Sequence, residues 1–182
     1  AAAPPKGRSC FAARLAAAEG GTLSRERVLQ EAVGILLAGH ETSSNTATWA
    51  LYLLACNPAE QAACRAEADT AVAASTIDEL SSHTLLVGSM YEALRLYPVV
   101  PFSPKLCPAG TCVDGARLPA GTRVSPNKAL LGRSALFAEA GRFDPTRYAR
   151  GELGPHGARI AAFGAGPRAC IGTRLAEAEV VS

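Results

Sequence analysis

The sequence predicts a mainly α-helical fold with a small β part. Apolar residues recur at helical spacing across residues 24–57 without an internal proline, alanine-rich amphipathic text follows over about 60–74, and another helical stretch covers about 85–97. Proline, glycine and β-branched residues crowd together between Val99 and Ser125. With 182 residues, 48% apolar and 19% charged, the chain can bury a real core. A net charge of +2 points to neither nucleic acid nor an acidic substrate. No apolar run is long enough to span a bilayer, the best being Val33 to Ala38. Ala1 opens without an initiating Met or a signal-peptide pattern, so the chain reads as a fragment.

Residues 1–21 are Ala/Pro/Gly-rich and read as a linker or the end of a preceding element, with one partial domain over 22–182. A helix should start near Ser24 as N-cap, with Glu26 in its first turn, and stop at Asn57-Pro58. About 33 residues at about 1.5 Å each give a rod of roughly 50 Å. In its middle, Ala38-Gly39-His40-Glu41-Thr42 and then Ser43, Ser44, Asn45 and Thr46 are poor helix formers. Gly39 costs about 1 kcal/mol relative to alanine and Thr42 can bond an upstream carbonyl, so a local widening or kink is expected. Small side chains at Ala38 and Gly39 leave room for a flat ligand. Glu41 and Thr42 place an acid beside an alcohol, the parts of a short proton relay. A merely solvated polar patch fits the same residues.

Pro58 suits the first position of the next helix, capped by Asn57, running to about Ala74, with Ile77 to Ser82 as connector. A further helix over about Leu85 to Tyr97 ends at Pro98 and sets Glu92 and Arg95 on one face at i,i+3 spacing. Two short strands are expected around Cys112-Val113 and Arg123-Val124, joined through Asp114-Gly115. Ala149 to Ala162 reads as loop because of Gly151, Gly154, Pro155 and Gly157.

Six cysteines, Cys10, Cys56, Cys64, Cys107, Cys112 and Cys170, form no C-x-x-C pair and no zinc spacing. Cys56 and Cys64 read as small apolar residues. Cys170 differs, because it lies in Phe163-Gly164-Ala165-Gly166-Pro167-Arg168-Ala169-Cys170-Ile171-Gly172, with helical text from Ile171 onward. At a helix mouth, free N–H groups and the dipole favour a thiolate, which suits an iron centre. Gly164, Gly166 and Gly172 admit a flat cofactor close to the backbone. Arg168 offers a fork to a carboxylate, and Phe163 an apolar wall near the sulfur.

The loop pattern F-x-x-G-x-R-x-C-x-G resembles the haem-binding loop of the cytochrome P450 family. Ala38-Gly39-His40-Glu41-Thr42 is similar to that family's oxygen-activating helix, and Glu92-Ala-Leu-Arg95 followed by Leu96-Tyr97-Pro98 to its E-x-x-R helix. Phe143-Asp-Pro-Thr-Arg147-Tyr148 matches the segment that supplies the third member of that charge network. Lys105 stands where the family has a propionate-binding Arg or His, and Ser134 departs from a His/Arg-Asp pair. The resemblance implies the C-terminal half of the cytochrome P450 fold, incomplete, with haem b held by Cys170 as axial ligand. It further implies Thr42 and Glu41 in proton delivery, Arg168 and Lys105 on propionates, and a structural triad of Glu92, Arg95 and Arg147. The implied reaction inserts one oxygen atom from dioxygen into a small, lipophilic organic substrate. Electrons would come from NAD(P)H through a reductase or ferredoxin.

The family's N-terminal half and its β segment beyond the Cys helix are missing from this chain. A truncated, non-catalytic fragment is therefore the alternative reading. A reductase-independent isomerase or lyase ranks lower, since such relatives tend to lose the threonine that Thr42 supplies. The compartment stays open: a membrane anchor or transit peptide of the family would precede Ala1, with the endoplasmic reticulum membrane and the plastid as the options for the full-length parent.

Overall fold

The computed structural model describes residues 10–19, 21–71, 83–152 and 157–182. The linker expected over 1–9, the connector Ile77–Ser82, the end of the second expected helix and the loop residues Gly154 and Pro155 lie outside the described residues. The chain divides into two units, Ala1–Glu41 and Thr42–Ser182.

In the first unit, α1 (Phe11–Ala18) is a two-turn helix inside the stretch expected to be linker. Then α2 (Arg25–Cys56) begins where Ser24 Oγ accepts the Arg27 N–H at 3.2 Å, the capping bond that the sequence promised. Arg27 and Glu31 pair at 2.6 Å one turn apart. Along this stretch Leu29, Val33, Leu36 and Leu37 are exposed.

Across the stretch where a local widening or kink was expected, α2 is assigned helix throughout, Arg25–Cys56. The hydroxyls of Thr46 and Thr48 donate to the carbonyls of Thr42 and Ser44 at 2.7 and 2.8 Å. Asn57 closes α2 by donating from Nδ2 to the Leu53 carbonyl at 2.7 Å.

The second unit is organised around α4 (Thr84–Leu96), which follows α3 (Pro58–Ala71). His83 offers α4 no side-chain cap. Instead the Glu67 carboxylate of α3 accepts the N–H groups of Leu85 and Leu86, at 3.0 and 2.8 Å, on the positive end of the helix. Val87, Met90, Tyr91, Ala93 and Leu96 of α4 are all buried. One cluster joins Ala93 and Leu96 to Ala50 and Leu53 of α2 and to Phe143. Another gathers Val87, Met90 and Tyr91, with Tyr148, Phe163 and Val180 packed against them. Burying side chains of this size contributes roughly 1.5–3 kcal/mol each.

Four two-residue strands follow: β1 (Lys105–Leu106), β2 (Cys112–Val113), β3 (Ala116–Arg117) and β4 (Arg123–Val124). The two expected strands exist but do not pair with each other. β2 turns through Asp114-Gly115 onto β3, whereas β4 runs antiparallel to β1, with Lys105 opposite Val124. Asp114 and Gly115 both have positive φ, 48° and 79°, as such a tight hairpin requires.

The short helices α5 (Lys128–Gly132) and α6 (Thr146–Arg150) come next. After them, α7 (Gly157–Phe163) occupies residues expected to be loop. Gly157 opens this helix instead of breaking it, and Ala158-Arg-Ile-Ala-Ala162 is helix-forming text. A 3₁₀ turn at Gly166–Arg168 leads to α8 (Thr173–Val181). Two glycines mark where α4 meets its neighbours at backbone distance. A Cβ on Gly88 would overlap the Pro145 carbonyl, and one on Gly132 would overlap that of Arg95.

Candidate functional site

An open cavity in the second unit has Cys170 in its wall. The α7–α8 loop sets the sulfur. The Cys170 N–H donates to the Phe163 carbonyl at 2.9 Å, the Ala169 N–H to Gly166 at 3.0 Å, and the Thr173 hydroxyl to the Cys170 carbonyl at 2.9 Å. Gly164 and Gly166 hold φ of 77° and 70°, which side-chain-bearing residues rarely adopt. α8 starts at Thr173 with Gly172 as its N-cap, so Cys170 precedes the helix by three residues instead of standing directly before it. The dipole acts on it less than the sequence suggested.

Thr42, with Ser43 and Thr46, forms the α2 side of the cavity, and Met90 and Leu94 of α4 form an apolar side. Phe163, Gly164, Arg168 and Lys105 also line it. Gly166 and Gly172 shape the loop without lining the cavity. Gly39 and Glu41 fall in the first unit, and a Cβ on Gly39 would meet nothing within 4 Å. Ser43 also donates to Glu179 of α8 at 2.8 Å, so the polar run of α2 has a tertiary partner.

Lys128 was not singled out by the sequence, where it belongs to no motif. Its Nζ donates to the Ala162 carbonyl at 3.0 Å while it lines the cavity. Burial pushes its ammonium below the ordinary lysine value, and the charge of Cys170 pulls it part of the way back. Its backbone N–H bonds the Pro101 carbonyl at 2.9 Å, pinning the Val99–Ser103 wall.

Behind the cavity, Glu92, Arg95 and Arg147 come together with side chains no more than 7% exposed. Glu92 receives the Arg95 fork at 2.6 and 2.7 Å and the Asp144 N–H at 2.9 Å. The remaining Arg95 donors reach the carbonyls of Gly132, Ala140 and Arg142 at 2.5–2.8 Å. Arg147 Nε lies 3.5 Å from Glu92, close enough for an ion pair but making no hydrogen bond. The Arg147 Nη1 bonds Glu152 at 2.7 Å. The Glu92 carboxylate offsets the burial of both arginines, since its oxygens meet the Arg95 fork and one of them also faces Arg147.

The donor set fits haem. Among the described residues no group of three or more His, Cys, Asp and Glu side chains could hold a bare metal ion. A single sulfur suffices for an iron that brings its other in-plane ligands with a macrocycle. A Cβ on Gly164 would meet nothing within 4 Å, leaving open space beside the loop, and three basic side chains, Arg168, Lys105 and Lys128, stand in the cavity wall.

The fold is mostly α, with Cys170 displayed on a glycine-bearing loop and a buried Glu–Arg network beside α4. Residues 5–181 match the family described as Cytochrome P450. The chain is 40% identical over 169 residues to the mitochondrial 25-hydroxyvitamin D-1 alpha hydroxylase of Rattus norvegicus, covering 87% of this chain and 34% of that protein. With the mitochondrial sterol 26-hydroxylase of Homo sapiens it shares 35% identity, over 88% of this chain and 32% of the relative. With cytochrome P450 4B1 of Rattus norvegicus the figure is 34%, over 87% and 32%. The chain belongs to the cytochrome P450 family. It spans about a third of the length of these curated relatives.

Proposed function

We propose that this chain is the thiolate-bearing part of a haem monooxygenase that hydroxylates an apolar organic substrate with dioxygen and reductase-supplied electrons. The observation that carries this reading is Cys170 and Thr42 in the wall of one cavity. Haem, when bound there, supplies oxygen activation, with thiolate ligation favouring O–O cleavage.

The residues of this chain have separable tasks. Cys170 Sγ ligates the iron, while Gly164 leaves the approach clear and Phe163 keeps water from the sulfur. Arg168 and Lys105 hold the propionates, Arg168 by a planar fork and Lys105 as a point charge. The Thr42 hydroxyl donates a proton into the cavity. Met90, Leu94 and Val100 exclude water and favour a lipophilic substrate. The Glu92, Arg95 and Arg147 network fixes α4 behind the loop. Electrons enter from NAD(P)H through a reductase or ferredoxin, and the full-length protein works in an organelle or at its membrane. The mitochondrial designation of two relatives favours that organelle over the endoplasmic reticulum or plastid.

Isotopically labelled dioxygen tests this reading in the full-length chain. One labelled oxygen atom should enter a sterol-like substrate, and Thr42→Ala should divert at least half of the consumed NAD(P)H to hydrogen peroxide. Label arriving from water, or full coupling in the variant, contradicts it. A second reading, that residues 1–182 alone are no catalyst, is favoured by the exposure of Leu36, Leu37 and Leu51 at 67–69% on α2. Expressed alone, the chain would then be colourless and aggregated.

A further inference from the structure

The residue next to Glu92 does something the charge network does not. Tyr91 is 5% exposed, and its hydroxyl donates to Glu177 Oε1 of α8 at 2.7 Å. Its ring meets Phe163 edge-on, with centroids 6.0 Å apart and planes at 87°. On its other side it stacks on Tyr148 at 5.2 Å and 3°. Phe163 is the last residue of α7 and Glu177 lies in the second turn of α8, so the two contacts fall on opposite arms of the loop that carries Cys170. The Cys170 N–H to Phe163 carbonyl bond ties the sulfur's own backbone to the first of those arms.

We infer that Tyr91 is the positioning residue of the Cys170 loop, a clamp from α4 that grips both arms and transmits the rigidity of the Glu92 network to the sulfur. This rests on the haem-thiolate reading of the site. The physical case has three parts. Glu177 is 2% exposed, and a carboxylate buried to that degree requires donors; a phenolic hydroxyl at 2.7 Å is a short, charge-assisted one. The aromatic contacts with Phe163 and Tyr148 add directional packing that a smaller side chain could not reproduce. Finally, Tyr91 and Glu92 are consecutive on a buried helix, so they face different neighbours. Glu92 locks α4 to the α5–α6 side through Arg95 and Asp144, and Tyr91 locks the same turn to the loop.

Two measurements on Tyr91→Phe, which deletes the hydroxyl and keeps the ring, test the clamp. In the haem-free full-length chain, backbone hydrogen exchange over residues 163–181 should speed up about tenfold while that of α3 stays unchanged. In the haem-loaded protein, haem loss should be about tenfold faster, and a fraction of the reduced carbonyl complex should lose its red-shifted thiolate Soret band. Glu177→Gln, which keeps an acceptor oxygen, should fall between the two, and the double variant should be no worse than Tyr91→Phe alone. If Tyr91→Phe does not fold, Glu177→Gln carries the same test. Exchange over 163–181 equal to wild type, or additive losses in the double variant, overturns the clamp. Wild-type protein without a thiolate spectrum would instead overturn the reading of Cys170, while the exchange result still decides the role of Tyr91.

Discussion

Cys64 and Cys170 are the same side chain in opposite surroundings. Cys64 is 3% exposed between α3 and α4, with Sγ 3.7 Å from the Leu85 carbonyl. Burial, then the charges of Glu67 and Glu60, push its thiol up to about 11. At pH 8 it carries about a hundredfold less thiolate than an ordinary cysteine. Iodoacetamide should therefore label the exposed Cys10, Cys56 and Cys112 within minutes and spare Cys64, as read by peptide mass spectrometry; equal labelling would contradict its burial. Asp144 makes a second residue-scale prediction. Burial acts to raise its pKa, but hydrogen bonds from Thr146 and Arg150 outweigh it and hold the carboxyl at about 2. A folded value below the unfolded one means the carboxylate stabilises the fold above about pH 4, and that stability is lost as pH falls through about 2. Asp144→Asn should flatten acid unfolding between pH 4 and 2, and an unchanged profile would refute the assignment. The sequence exposed Cys170 through its glycines and arginine. It could not expose Lys128, Tyr91 or Glu177, because a bond such as Tyr91 to Glu177 spans 86 positions and follows no local spacing.

Among the elements, α4 is the one whose sequence and structure agree best. Its i,i+3 charges and its closing Tyr97-Pro98 were legible, since both follow from helical periodicity. What could not be read was that its small residues are contact points. A Cβ on Gly88 would strike the Pro145 carbonyl, which is backbone and cannot swing away. Gly88→Ala should thus lower stability by more than about 2 kcal/mol, although alanine is the better helix former. Glu92→Ala should cost about 3–5 kcal/mol, because it leaves Arg95 and Arg147 buried with their charge uncompensated. Urea unfolding reads both; a loss below 1 kcal/mol in either would show that the packing is looser than described. Elsewhere, elements were misread for identifiable reasons. Strands of two residues offer no alternation from which to choose a partner, so β4 was assigned to β2 when it pairs with β1. Gly157 looked like a breaker, yet it begins α7. The hydroxyls of the α2 polar run found partners the sequence did not name, Thr46 on the Thr42 carbonyl and Ser43 on Glu179 of α8.

At the scale of the whole molecule, family membership and the mostly helical fold rest on residues 5–181, and both were legible because the motifs keep their order along the chain. The pocket that selects a substrate was not legible, since its walls arise from residues distant in sequence, such as Leu94, Val100 and Val180. Everything at this scale depends on the sulfur of Cys170, which lines a cavity together with the basic side chains of Lys105, Lys128 and Arg168 and with Thr42. The most direct measurement is the absorption spectrum of the reduced carbonyl complex of the full-length protein and of its Cys170→Ala variant. The wild type should show the red-shifted Soret band of a thiolate-ligated haem, and the variant should lose that band. An identical spectrum in the two proteins would contradict the assignment.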